Sequence, residues 1–362
     1  MKPSLRFLLP LLLLTICLNS SAAAKTRHKR SHKPPPPPPT FVTRAEVRVF
    51  ITEMQDKHQL DRTQLTRAFA KTRPLRAVIQ AVLPPRDPSI RSWQEYRSRF
   101  VEPRRIQRGL RFWDEHQADL AAAHAASGVP EEYIVAIIGI ESIYGAHTGN
   151  FGTLAALATL AFDYPKINPT SDATRAALFR HELEELLLLA REAQRDPLAY
   201  KGSYAGALGL PQFLPSSIRS FARDGNDDSH IDLENQPADA IASVANFLKM
   251  HGWEKDGPVT VNAMVSGERF TQLIDEGIRP NRTPSELVAF GVTTDGSAPE
   301  LPTALIDLVT PQQPTEYRLG FQNFFVITRY NRSSFYAMAV HDLAQTLRAE
   351  RQRTAAGNTG IP

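Results

Sequence analysis

Apart from Cys17, close to the amino terminus, the 362-residue chain has no cysteine. Disulfides and thiol chemistry are therefore excluded from the body, whose core must supply the stability unaided. A cysteine-free body does not exclude an oxidising compartment. Charge of one sign is also scarce, with a formal net charge of only +4. So mild an excess does not argue for nucleic-acid binding. It fits plain solubility, and it also fits approach to an anionic polymer, because opposite charge raises encounter rates. Internal repeats are absent, and strand signals are weak before Val259.

What is present begins with an export signal. Lys2 and Arg6 precede the apolar run Phe7–Leu18, which is too short to cross a bilayer as a helix but has the length of a signal-peptide core. Ala22 and Ala24 suit cleavage after Ala24, giving a periplasmic or otherwise exported product. Lipidation at Cys17 is the weaker alternative, because Ile16 stands where a lipobox carries a small residue. Residues 25–40 are basic and then proline-rich, and they predict an extended linker. That basic stretch serves as a solvated tether or as an anchor to an anionic wall or membrane surface.

From Thr43 the pattern is helical. Val47, Phe50, Ile51 and Met54 repeat at three- and four-residue spacing. Ile106–Ala126 reads as one long helix stopped by Gly128, and Pro130-Glu131-Glu132 opens the next. Leu154–Phe162, Ala176–Ala193 and Tyr336–Arg348 are helical by period. VTVNAMV from Val259 and FFVITRY from Phe324 read as strands, being rich in β-branched and aromatic residues. The expected class is mainly α (α+β), with a small antiparallel β portion placed late.

Tyr133–Gly145 (YIVAIIGIESIYG) carries the first chemistry. A helix apolar on nearly every side is buried. Glu141 follows this run, close to where Gly145 is expected to end the helix. Ionising a carboxylate among such neighbours costs desolvation, so its pKa should rise and leave a proton available near neutral pH. A glutamate at a helix end turned towards water is the plainer alternative. No motif places a second acid beside Glu141, and Asp163 in FDYP is the nearest candidate. One acid suffices if the substrate supplies its own nucleophile.

Residues 201–217 (KGSYAGALGLPQFLPSS) hold three glycines within eight positions, which permits close backbone approach to a ligand. Ser203 and Gln212 offer a hydroxyl and an amide suited to sugar recognition. A structural turn would look similar. In RYNRSSFYAMAV, Tyr330, Asn331 and Tyr336 offer aromatic faces and polar tips for stacking on a sugar, although core packing is the usual fate of a tyrosine.

Taken together, the words IIGIESIYG, LATLAFDYP, DPLAYKGSYAGALGLPQFLPSS, DAIASVANFLKMHGW and RYNRSSFYAMAV resemble those of the membrane-bound lytic murein transglycosylase B family. They span roughly residues 40–350. The resemblance implies a lysozyme-like catalytic core with a flanking helical region. The corresponding division is a helical region at 41–115, the core at 116–256, a β-containing insertion at 257–322, a return to the core at 323–350 and a flexible tail at 351–362. It implies that Glu141 is the acid/base and that Ser203, Gln212, Tyr330, Asn331 and Tyr336 line the saccharide cleft. It further implies cleavage of the β-1,4 bond between N-acetylmuramic acid and N-acetylglucosamine in peptidoglycan, leaving 1,6-anhydro ends. The implied partner is the glycan strand, met by a monomer that needs no cofactor for the chemistry. A lysozyme-type hydrolase and a non-catalytic wall-binding scaffold are the rival readings. Two positions depart from the family pattern: Phe247 stands where a tyrosine is frequent, and Ile143 where a basic residue is found.

Residues 224–239 (DGNDDSHIDLENQPAD) alternate hard oxygen donors at Asp224, Asn226 and Asp228, with His230 placed to offer its backbone carbonyl. Ser229 replaces the expected glycine and Asn235 the closing glutamate. The resemblance implies closure by Asp239 and a structural calcium. A solvated acidic turn explains the same residues.

Overall fold

The computed structural model describes residues 38–84, 92–296 and 298–358. The expected signal peptide, Cys17 and residues 25–37 of the linker lie outside them.

Helices dominate from the first described turn. They are α1 (Ala45–His58), α2 (Arg62–Ala70), α3 (Arg76–Ala81), α4 (Trp93–Phe100), α5 (Pro103–Glu115), α6 (Gln117–Ser127), α7 (Glu131–Ser142), α8 (Thr153–Phe162), α9 (Pro169–Glu192), α10 (Pro215–Phe221), α11 (Pro237–Met250), α12 (Thr271–Glu276), α13 (Pro284–Leu287), α14 (Gln322–Tyr330) and α15 (Ser334–Asn358). Side chains close several starts. Asp61 accepts from the Gln64 amide, Ser92 from Glu95, and Glu102 from Arg104 and Arg105, satisfying amides that a helix leaves free.

Two small antiparallel sheets accompany the helices. β1 (Phe151–Gly152) pairs with β2 (Lys201–Gly202). The strands β3 (Thr260–Val265), β4 (Val292–Thr293), β5 (Ala304–Leu308) and β6 (Glu316–Gly320) form a sheet in the order β4-β3-β6-β5. The mainly α class with a late antiparallel sheet is therefore observed.

Apolar side chains gather in three clusters. The largest joins α4–α7, α11, α14 and α15 around Ile134, Ile137 and Ile138. A second joins α1–α3 to α8 and α9. The third underlies the four-stranded sheet, around Leu305, Leu319 and Phe321. The loop between β2 and α10 runs from the second cluster (Ala205, Leu208) into the first (Leu210, Phe213), and Ile218 of α10 packs against both. This glycine-rich segment thus lies along the seam between two cores.

Four expectations need correction. FFVITRY is not a strand but most of α14. Phe324, Val326 and Ile327 are buried along it, and Asn323 clamps it by accepting from the Glu254 amide and donating to the Glu254 and Gly257 carbonyls. Tertiary context overrides the β-branched composition. The helix expected over Ile106–Ala126 is broken at His116, whose φ of −118° and ψ of 29° leave the helical region. The helix that carries Glu141 stops at Ser142 and not at Gly145, because Ile143 already has a left-handed backbone. The last helix runs on to Asn358, so residues 351–358 of the expected tail are helical. Arg351 lies 4.9 Å over the Trp113 ring and pairs with Asp114, which ties this part to α5.

Candidate active site

Glu141 sits in the last turn of α7, a helix in which Glu132 through Ile140 are all buried. The residue as a whole is half-buried. The Tyr336 hydroxyl donates to Glu141 Oε1 at 2.5 Å. Burial pushes the Glu141 carboxyl up to about 7 from its usual 4.5, and the Tyr336 hydrogen bond opposes that rise by favouring the ionised form. Asp163 is engaged elsewhere, accepting from Arg44 at 2.8 Å.

Tyr336 comes from α15 and Tyr330 from the end of α14. Their rings stack at 6.4 Å with 15° between planes. The Tyr330 hydroxyl donates to the Pro211 carbonyl at 2.6 Å, pinning the glycine-rich loop to α14. Both phenols are pushed well above 10, first by burial and then by the Glu141 charge. The structure therefore brings Tyr330 and Tyr336 to the acid. Asn331 caps α14 between them, half-buried.

Ser203 and Gln212 shape the loop more than they face the acid. Ser203 is buried, and its Oγ accepts from the Ala205 and Ala207 amides at 3.3 and 3.0 Å. Gln212 has a left-handed φ of 51°. Its Nε2 donates to the Thr148 carbonyl at 3.1 Å and to Gly209 at 2.8 Å. That contact joins the loop to the segment following Glu141 and leaves the amide oxygen free of those bonds. Phe247 packs its ring 4.8 Å from Tyr330 and 5.6 Å from Phe213, a buried support behind the tyrosines.

Tyr96 of α4 is a member that the sequence did not reveal. Burial, and after it the Glu141 charge, raise its phenol, so it faces the same acid. Its ring lies 4.9 Å from Phe100 and 5.8 Å from Phe335. Nothing in its surroundings along the chain distinguishes it from a core tyrosine, and only the packing of α15 on α4 brings it here.

In the 224–239 loop, Asp224 accepts from the Asn226 and Ser229 amides, and Asp228 accepts from the His230 amide. Asp239 is fully buried at the start of α11 and accepts from the Gly225 and Asp232 amides at 2.8 and 2.7 Å. The donor chemistry of Asp224, Asn226, Asp228, the His230 carbonyl and Asp239 fits a hard cation. Among the described residues, no group of three or more His, Cys, Asp or Glu stands ready to hold a metal. The loop is instead closed by its own amide contacts.

A hydrophobically buried acid, held by a phenol and flanked by aromatic rings and a tightly turned polar loop, can protonate a leaving oxygen and later recover a proton. Residues 43–345 match the transglycosylase SLT domain family. The chain is 39% identical over 323 residues to the membrane-bound lytic murein transglycosylase B of Escherichia coli K12, covering 86% of this chain and 85% of that protein. It is similar to the crystal structure of the soluble lytic transglycosylase SltB1 from Pseudomonas aeruginosa, with 41% identity, a TM-score of 0.77, and coverage of 85% of this chain and 99% of that one. The structure of the Escherichia coli lytic transglycosylase Slt35 in complex with calcium matches with 37% identity, a TM-score of 0.73, and coverage of 87% and 96%. With this helical architecture around Glu141 and these likenesses along nearly its whole described length, the chain belongs to the transglycosylase SLT domain family.

Proposed function

We propose that the chain cleaves the β-1,4 bond between N-acetylmuramic acid and N-acetylglucosamine in peptidoglycan by transglycosylation, with Glu141 as the single acid/base. The supporting observation is the environment of Glu141. Burial holds its carboxyl at about 7, so a proton is available near neutral pH, and Tyr336 donates to it. Protonated Glu141 gives its proton to the glycosidic oxygen as the bond to C1 of the muramic ring breaks. The C6 hydroxyl oxygen of that ring then bonds to C1, and its proton passes to the Glu141 carboxylate. Atoms balance without water, and the acid is restored. Tyr336 steadies the carboxylate between the two steps. Ser203, Gln212, Tyr330 and Asn331 line the strand's path, Gln212 through its free amide oxygen. A hydrolase of either stereochemical course needs a second carboxylate within about 5–10 Å of the first.

Digestion of purified murein followed by mass spectrometry tests this reading. The expected products end in 1,6-anhydro-N-acetylmuramic acid. Fragments heavier by one water would instead assign hydrolysis, and unchanged murein in the presence of bound protein would assign a scaffold.

Export with removal of residues 1–24, tethering through the basic stretch and a monomeric state belong to the same proposal and rest on the sequence. Among the described residues no helix is long and apolar enough to cross a membrane. We further propose that Asp224, Asn226, Asp228, the His230 carbonyl and Asp239 hold a structural calcium, as the Slt35 likeness suggests. Calcium at a hundredfold its dissociation constant should add about 2.7 kcal/mol to stability. Tm should then rise by several degrees from EDTA to millimolar calcium, and Asp228→Asn should remove most of the rise. An identical Tm in both solutions would dispose of the site.

A further inference from the structure

Immediately after Glu141 and Ser142, the backbone enters a region that L-residues avoid. Ile143, Tyr144 and Gly145 have φ of 52°, 56° and 83°. Only the glycine is at ease there, and a β-branched residue such as Ile143 is a true outlier. Such a run persists only where the surroundings impose it.

Tyr144 supplies the restraint. Its ring turns back beneath α7 and packs 5.4 Å from Phe112 of α5. Its hydroxyl occupies the space left by two glycines that face each other, Gly109 on α5 and Gly139 on α7. A Cβ at either position would collide with that hydroxyl. The hydroxyl is buried without a hydrogen-bond partner, so the side chain acts here through its shape and not through its polarity. The slot is itself braced. Buried Arg105 donates its Nε to the Gly139 carbonyl at 3.0 Å, and the same carbonyl accepts the Ile143 amide at 3.2 Å. Below the turn, Ser142 Oγ accepts from the Gly145 amide at 3.0 Å. Gly139 lies two residues before Glu141 and Tyr144 three after it, so the wedge brackets the acid.

We propose that Tyr144, seated in the slot between Gly109 and Gly139, is a positioning residue that holds the strained turn behind Glu141 and thereby keeps the carboxyl on Tyr336 and away from bulk water. The inference rests on the reading of Glu141 as acid/base. Without the wedge the turn relaxes to ordinary φ, and the last turn of α7 re-aims its carboxyl. A hydrated carboxyl loses its raised pKa, so the protonated form needed for the first step disappears at lower pH. The alkaline limb of kcat/KM then moves down.

The test uses the full-length mature protein on purified murein, with kcat, KM, the pH profile and circular dichroism recorded for each variant. Tyr144→Phe removes only the unpartnered hydroxyl and keeps the ring tip, which alone would still collide with a Cβ at Gly139 and lie 3.0 Å from one at Gly109, so it should stay close to the wild type. Tyr144→Ala, and Gly139→Ala pressing from the other side, should lose about 10- to 100-fold in kcat with KM nearly unchanged. Their alkaline limb should move down by about one pH unit. A folded Tyr144→Ala with wild-type kcat overturns the proposal. So does a loss in kcat with the limb unmoved, which marks a merely structural role, or a Tyr144→Phe as damaged as Tyr144→Ala, which marks a role for the hydroxyl. If Tyr144→Ala does not fold, Tyr144→Leu and Gly109→Ala are judged by the same criteria. Glu141→Gln is assayed in parallel. If it stays active, the reading of Glu141 fails; if it is dead while Tyr144→Ala is normal, only the positioning role fails.

Discussion

Glu141→Gln is expected to lower murein cleavage by about 10³-fold or more and, at the same time, to stabilise the fold above neutral pH. The loss follows from the two proton transfers assigned to one group, each worth on the order of 10²–10⁴ in rate. The gain follows from linkage. Unfolded, the carboxyl titrates near 4.5; folded, it titrates at about 7 because burial disfavours the charge. Between these values the native state binds more protons than the unfolded chain, so stability falls as pH rises through that window. Above pH 7 the ionised carboxyl costs about 3 kcal/mol relative to a neutral group, at 1.36 kcal/mol per unit. Glutamine is neutral at every pH and nearly isosteric. The variant and the wild type should therefore have equal Tm at pH 4 and diverge from pH 5 to 8, the variant being the higher. Parallel Tm curves across that range would mean that the carboxyl is hydrated in the native state. A buried source of its reactivity would then be lost, whatever the effect on cleavage.

That cost explains why the acid was legible in the sequence while its partners were only partly so. YIVAIIGI announces a buried helix without any help from the rest of the chain, and a glutamate at its end is conspicuous by contrast. Tyr330 and Tyr336 were legible as aromatic faces with polar tips and through the family resemblance, not as partners of Glu141. Their approach to Glu141 depends on α15 packing on α7 and on α14 packing on α15, which no local pattern encodes. Tyr96 was invisible for the same reason. FFVITRY misled because β-branched and aromatic content measures fit to a half-buried surface, and a helix packed on the central cluster offers one too. The strain at Ile143 and Tyr144 was hidden as well, since ESIYG contains just one residue, Gly145, whose type signals a left-handed backbone. The meaning of Gly109 and Gly139 lies in their facing each other across two helices, and sequence separation conceals that.

Gly209→Ala should be the most damaging single-methyl change in the glycine-rich loop, costing about 3 kcal/mol of stability and at least about tenfold in cleavage. Two penalties combine at this residue. Its φ is +69°, and a Cβ there would meet the Leu233 carbonyl. That carbonyl is not free to retreat. It accepts the Leu210 amide at 2.8 Å, while the preceding residue, Asp232, donates its amide to buried Asp239 at 2.7 Å. The Gly209 carbonyl in turn accepts both the backbone amide and the side-chain Nε2 of Gln212, at 3.2 and 2.8 Å. A displaced Gly209 therefore moves Gln212 on one side and loosens the 224–239 loop on the other. Gly267→Ala is the matched control. Its φ is +68°, and nothing lies within 4 Å of an added Cβ, so it incurs the backbone penalty alone, about 1 kcal/mol, with cleavage intact. Urea unfolding and murein digestion of both variants separate the two penalties. Equal stability losses with equal activity would mean that the close approach to Leu233 is unimportant. A larger loss in Gly209→Ala, with activity lost in a protein that remains folded, places the seam between the two cores under the control of this one contact.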